Sequence, residues 1–413
     1  MKNYLSEHVL KNLLITAGII ITGYLLLVLV YCIPDNLLDK NVRISAEKLY
    51  KEGVYPDIYA SGSFLDNFTD GACIAITINR KNDNPFYSAI DSYQSGSGKD
   101  GLTKFYQTVF ESETITPKLH FSHSYMWDGF RIYLRPLLIR YPIQDIRVLC
   151  AWLVYALSFI LCILILDHYK NFFAIIPFMC AFLFFNFQLE ALSLLFFNDI
   201  FFMLLGSLLV IRFIKRGNNY YLDELFAAVG ALVGFTSMLI TPMLSVGFML
   251  VCYLIFRNNN HDLKHDIYSI IKYSASWLTG YAVTTFTKVF LSSAFGLTLA
   301  GKGQVQHYSG GSLYNRLAMN YRVFMRLLIT SRFKRDFMII TVLIFLAVLI
   351  YRKAYTRWKD SLPYLFIASY PVVWVFVMAG HSGHGWTYFN YSISIFAVLQ
   401  VMFIMILQAG EKK

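Results

Sequence analysis

Residues 13–33 read LLITAGIIITGYLLLVLVYCI, an unbroken run without Asp, Glu, Lys, Arg or His. A bilayer core of about 30 Å takes roughly 20 apolar residues of helix to cross, so this stretch predicts a membrane span. The rest of the chain has the same character. Of its 413 residues, 57% are hydrophobic, 17% aromatic and only 15% charged, and the mean hydropathy is +0.51. A soluble domain is nearer half apolar and a quarter charged, which argues against a water-soluble enzyme. The abundant Tyr and Trp suit membrane–water boundaries.

Hydropathy predicts an all-α integral membrane protein of about ten transmembrane helices, near 13–33, 146–166, 171–188, 192–214, 224–240, 243–257, 268–290, 336–351, 362–379 and 387–408. The fifth and sixth form one apolar run divided at Thr241-Pro242, because the residue before a proline is pushed towards extended backbone. Lysine and arginine set the sides. With the N-terminus inside, the short inner segments carry Lys2 and Lys11, then Lys170, then Arg212, Lys215 and Arg216, then Arg257, Lys264 and Lys272, then Arg352, Lys353, Arg357 and Lys359, and last Lys412 and Lys413. The short turns near Glu190, Thr241 and His381 carry none. The positive-inside rule then predicts a multi-pass plasma-membrane protein with both termini cytoplasmic. Span one lacks a small-residue cleavage site after it and reads as a retained anchor.

The expected organisation is a cytoplasmic N-terminus and first span (1–33), an extracytoplasmic loop with amphipathic interfacial helices (34–145), spans two to seven (146–290), a second outer loop (291–335), and spans eight to ten with a short cytoplasmic tail (336–413). Gly/Ser clusters at 95–98 and 309–312 mark flexible parts of the two loops. The net charge of +11 is read as a sidedness signal, with membrane lipids and no nucleic acid as partners. Six cysteines without a CxxC pair argue against a zinc site or a disulfide framework. GxxxxGK[ST], GxSxG and HExxH are all missing, so P-loop ATP binding, serine hydrolysis and zinc proteolysis lack support.

Two stretches of the long loop stand out. In Phe64-Leu65-Asp66-Asn67-Phe68-Thr69-Asp70, a short helix would put Asp66 and Asp70 on one face, four residues apart. Two such carboxylates repel, and the strain is relieved by a divalent metal or by one of them acting as a general base of raised pKa. The plainer alternative is an aspartate N-cap on a solvated face. Asn67-Phe68-Thr69 matches a glycosylation sequon, a three-residue match of little weight. The second stretch, residues 125–141, places Arg131 and Arg135 one turn apart, with Phe130, Leu134, Leu137 and Leu138 on another face. That composition suits a helix lying in the membrane interface. Guanidinium forks grip phosphate oxygens bidentately, so the pair is a candidate phosphate contact; a plain interfacial anchor is the alternative.

Ionisable residues at membrane level tend to mark sites. Glu190 precedes span four, Asp199 stands within it among Phe196, Phe197, Phe201 and Phe202, Lys288 ends span seven, and His381 and His384 share a glycine-rich turn. The histidines suit donation to a phosphate or sugar hydroxyl better than metal binding. A helix-packing hydrogen bond is the plain reading of Asp199. Arg316, Arg322 and Arg326 form a further basic strip, solvated or facing headgroups by default.

An anchor, a long outer loop with paired acidic residues and an aromatic–arginine segment, then a bundle with polar outer ends: this layout resembles the GT-C glycosyltransferases. The runs Asn67-Phe68-Thr69-Asp70 and Leu134-Arg135-Pro136-Leu137-Leu138, the turn around His381 and the segment from Tyr273 to Lys288 are similar to uncharacterised multispanning proteins of bacterial surface-polysaccharide loci. The resemblance implies transfer of a sugar from a polyprenyl-phosphate donor to a cell-surface glycan or lipid-linked acceptor on the extracytoplasmic side. It implies Asp70 or Asp66 as the base, Arg131, Arg135 and Lys288 as lipid-phosphate contacts, and Asp128, Glu190, Asp199, His381 and His384 as substrate contacts. Some members of the group use a divalent metal and others no cofactor, which the residues leave open. The chain is short for the group and lacks the WWD signature of oligosaccharyltransferases. A transporter or flippase of a lipid-linked glycan is the alternative, kept open by Asp199 and the Thr241-Pro242 break.

Overall fold

A computed structural model describes residues 2–57, 64–78, 84–91, 93–94, 106, 109–110, 121–122, 125–238, 240–257, 262–297, 311–329, 332–351, 353, 359, 361–380 and 387–410. The predicted site residues His381 and His384 and the Gly/Ser cluster at 95–98 lie outside them. Apart from one two-residue ladder, the described secondary structure is helical. Helix α1 (Lys2–Tyr31) leads to α2 (Asp39–Glu52), α3 (Asn67–Ile78), α4 (Pro85–Ile90), the antiparallel pair β1 (Tyr93–Gln94) and β2 (Phe121–Ser122), and α5 (Arg131–Arg140). Next come α6 (Ile143–Tyr169), α7 (Ile176–Phe184), α8 (Phe187–Glu190), α9 (Leu194–Lys215), α10 (Leu222–Thr236), α11 (Met243–Phe256) and α12 (Leu263–Ala294). The last are α13 (Leu313–Ile329), α14 (Arg332–Tyr351), α15 (Leu362–Ala368), α16 (Tyr370–Val377) and α17 (Ser392–Gly410).

Four helical segments among the described residues are long and apolar enough to cross a membrane: Glu7–Tyr31, Ile143–Tyr169, Leu194–Lys215 and Thr387–Gln408. The expected span 268–290 lies within the 32-residue α12, which is not among these four, and the remaining expected spans correspond to shorter helices. Phe172–Phe184, Met243–Phe256, Ile339–Tyr351 and Leu362–Val377 are apolar but short. The last of these is interrupted at Ser369. Helix α10 has 15 residues, about 22 Å at 1.5 Å per residue, less than a bilayer core.

Helices α10 and α12 pack backbone to backbone. A Cβ on Gly230 would lie 2.0 Å from the Trp277 carbonyl oxygen, and one on Gly280 would lie 2.0 Å from that of Ala227. Small residues facing each other let two helices approach this closely, as membrane bundles require where no hydrophobic effect drives association. Helix α10 stops at Thr236 and α11 begins at Met243, so the predicted break at Thr241-Pro242 falls between two short helices. Residues 127–129 dock on the end of α10. The Gly129 amide donates to the Phe235 carbonyl at 2.9 Å, one of the orphan acceptors at a helix C-terminus. The Trp127 ring stacks on Phe235 at 4.9 Å, and its Nε1 donates to the Thr284 carbonyl at 2.8 Å. A Cβ on Gly129 would meet the Phe235 ring at 2.3 Å, so only glycine fits.

The first loop forms a packed helical layer. In α2, Val42, Ala46 and Leu49 are buried at helical spacing, and the helix ends at Gly53 with φ +84. In α3, Cys73, Ile74, Ile76 and Ile78 are buried. Helix α5 ends before Pro142, which then caps the start of α6.

Candidate functional site

The two acidic residues of the first loop have different environments. Asp66 caps α3: its Oδ1 accepts the Thr69 amide at 3.0 Å and its Oδ2 the Thr69 hydroxyl at 2.5 Å. The cap of the plainer reading is present, but the face is not solvated, since Asp66 is buried. Burial pushes the Asp66 carboxyl up to about 6, against the pull of those bonds. Asn67 is fully buried, donating to Glu52 and to the Gly53 carbonyl, so it is no glycosylation site.

Asp70 reaches into the bundle. Its Oδ2 accepts Arg147 Nε at 2.7 Å, and its Oδ1 accepts the Leu194 amide at 2.9 Å. The Leu194 amide is the first of α9, so a carboxylate from another helix satisfies an orphan donor and opposes the helix dipole. Arg147 also donates to Asn67 Oδ1 at 2.7 Å and lies 3.5 Å from Glu52. Burial raises the Asp70 carboxyl from its ordinary range, and the Arg147 guanidinium opposes the shift. Arg147 was not among the predicted site residues. The available signal was an arginine as the second residue of the predicted span two.

The predicted phosphate contacts are corrected by their hydrogen bonds. The Arg131 guanidinium is wholly buried and is used up by the carbonyls of Trp127, Asp128, Ser88, Ala89 and Asp91 and by the Tyr31 hydroxyl. Arg135 is also fully buried, donating to the carbonyls of Val30, Ile33 and Thr77 and pairing with Asp35. These arginines stitch the end of α1 to α3, α4 and α5; they do not face headgroups. Lys288 is buried too, donating to the Ile90 carbonyl beneath the Trp127 ring, with Asp91 and Asp128 as nearby carboxylates.

The remaining predicted contacts are dispersed. Asp128 is buried at φ +49 beside Gly129. Glu190 is buried at the end of α8, where its charge acts on Tyr388. Asp199 accepts the Thr241 hydroxyl at 2.7 Å, across the break between α10 and α11. That is the hydrogen bond expected of a packing residue. Helix α13 carries Arg322 and Arg326 exposed and Arg316 half-buried, with Arg316 5.5 Å from the Phe376 ring centre.

A groove of about 780 Å³ lies between α1, α5, α6, α9 and α10. Its walls are Ile15, Ile19, Ile132, Leu149, Leu153, Phe197, Phe201 and Phe235, with no lysine or arginine among the described residues that line it. Leu26, Leu149 and Leu153 are 40%, 51% and 44% exposed at its mouth. Its polar positions are Thr22, Tyr133, Cys150, Asn198 and Thr236. Burial pushes the Tyr133 phenol well up, and the Asp70 charge acts in the same direction. Neither Asp70 nor Arg147 is among the residues lining the groove, and Asp70 is fully buried. Comparison with known protein families, characterised proteins and solved structures finds no match.

Proposed function

We propose that the protein is an extracytoplasmic membrane glycosyltransferase of GT-C type, drawing its sugar from a polyprenyl-phosphate donor. The observations that carry this reading are the apolar groove and the buried Asp70–Arg147 pair that joins the first-loop layer to the bundle. An isoprenoid chain matches an apolar trough open along a membrane-facing side. Its phosphate-linked sugar would reach the layer of α3, α5 and the outer ends of α6 and α9. The proposed topology is multi-pass with both termini cytoplasmic, the short helices completing the bundle.

In the proposed reaction, the acceptor hydroxyl attacks the anomeric carbon while Asp70 takes its proton. The bond from that carbon to the phosphate oxygen breaks, and the polyprenyl phosphate leaves as an anion. Arg147 is the cation best placed to meet it. Asp70 works as a base only when the donor phosphate draws Arg147 away, so donor binding would switch the carboxylate on. The acceptor is a cell-surface glycan or lipid-linked glycan. The test is sugar transfer in membranes from defined polyprenyl-phosphate sugars, comparing the unmodified chain with Asp70→Asn and with Gly18→Trp. The second fills the groove from a position where a Cβ meets nothing within 4 Å.

Movement of a lipid-linked glycan across the membrane is the second reading. The buried Asp199 of α9, which accepts the Thr241 hydroxyl of the α10–α11 break, favours it, because transporters place polar groups beside interrupted helices. Flipping without transfer, lost in Asp199→Asn and kept in Asp70→Asn, would select it.

A further inference from the structure

The opposite end of α1 carries a second cluster that plays no part in sugar transfer. His8 lies 23 residues before Tyr31, about 34 Å along the helix. It meets Asp223 and Glu224 of the first turn of α10. All three side chains are buried, with one candidate ligand atom from each within 4.8 Å of the others. His8 Nδ1 lies 3.7 Å from Asp223 Oδ2 and 3.5 Å from Glu224 Oε1.

Those separations decide between two uses of the cluster. An imidazolium hydrogen bond to a carboxylate spans about 2.7–2.9 Å, and both contacts are longer. Two donors at about 2.0–2.2 Å from one tetrahedral cation stand roughly 3.3–3.6 Å apart, close to what is found. A second observation is independent of that spacing. Glu224 is 8% exposed, and neither of its carboxylate oxygens accepts a hydrogen bond among the described residues. A buried carboxylate without donors is costly unless a cation faces it.

The supporting groups are in place. Asp223 is held by Lys272 and by the Ser276 hydroxyl at 3.3 Å, and Asn12 donates to that hydroxyl at 3.2 Å. Lys272 pairs with Asp223, while Glu224 faces His8 at 3.5 Å. Groups hydrogen-bonded behind a metal ligand fix its orientation in this way.

We propose that His8, Asp223 and Glu224 form a site for a divalent first-row transition cation such as Zn²⁺ or Mn²⁺, clamping α1 to α10. Imidazole with carboxylates favours these ions over Ca²⁺ and Mg²⁺, which prefer all-oxygen shells. The site stands apart from the groove, so the proposal is independent of the glycosyltransferase reading.

The test uses the full chain purified in detergent, stripped with a chelator and titrated with Zn²⁺ or Mn²⁺ alone. Bound metal is measured by mass spectrometry and unfolding by thermal melting. One equivalent should bind and raise the melting temperature, and Glu224→Gln and His8→Gln should each weaken binding by at least ~10-fold. Should Glu224→Gln fail to fold, His8→Gln with Asp223 and Glu224 intact carries the comparison. No metal above background in the unmodified chain overturns the proposal. So does retention of full affinity in the variants, or a melting temperature that responds to pH through His8 and not to metal.

Discussion

Arg147 Nε lies 2.7 Å from Asp70 Oδ2, and neither side chain is more than 5% exposed. The pair joins the loop helix α3 to the start of α6, and through the Leu194 amide to α9. Breaking a buried pair on one side strands a charge and costs about 3–5 kcal/mol. Arg147→Met should therefore destabilise the fold by that order. The double variant Asp70→Leu/Arg147→Met should recover most of the loss. Thermal melting in detergent checks this, and additive losses in the double variant would remove the coupling.

Arg131 and Arg135 should behave as structural residues. Arg131→Lys keeps the charge but loses the fork that reaches several carbonyls, so it is expected to lose about 2–4 kcal/mol. A phosphate-binding role instead predicts normal stability with weakened donor binding. Melting temperature measured beside donor affinity separates the two.

The α10–α12 contact should be intolerant of bulk. Gly230→Leu would place side-chain atoms where the Trp277 carbonyl already stands. Overpacking commonly costs 1–3 kcal/mol, and a backbone collision pushes towards or beyond the top of that range. Gly18→Leu, facing open space on α1, serves as the control and should be near neutral. Equal melting temperatures for the two variants would contradict the close approach.

Asp66 predicts a pH dependence with a definite sign. Its folded pKa of about 6 lies above the unfolded value near 3.8. The folded protein thus keeps a proton that the unfolded chain releases. The stabilisation is complete below about pH 4 and is lost as pH rises through 6. Asp66→Asn still caps the helix and cannot ionise. It should be at least as stable as the unmodified chain at pH 7, with the difference shrinking towards pH 4. A loss that is the same at both pH values would refute the assignment.

Much of the helical layout was legible because hydropathy and proline reach every long apolar segment. Residues 13–33, the start of α6 near 146 and the break at Thr241-Pro242 all follow from local pattern. The shortness of α10 and α11 follows from the same pattern, since Thr241-Pro242 divides one apolar run into two short helices. The site was only half legible. Asp70 could be singled out by residue type, but its partner Arg147 is 77 positions away, and pairing at that separation is a property of the fold. Arg131 and Arg135 misled because their spacing is the same whether guanidiniums face phosphate or backbone carbonyls. The groove joins five helices and has no sequence signature at all.

The most direct measurement is sugar transfer from polyprenyl-phosphate donors in membranes carrying the unmodified chain, Asp70→Asn or Gly18→Trp at equal protein levels. Loss of a general base removes ~10²–10⁴-fold of rate. The account predicts transfer by the unmodified chain, a fall of that order in Asp70→Asn, and weakened donor use in Gly18→Trp. No transfer from any such donor, or equal transfer by all three proteins, would contradict it.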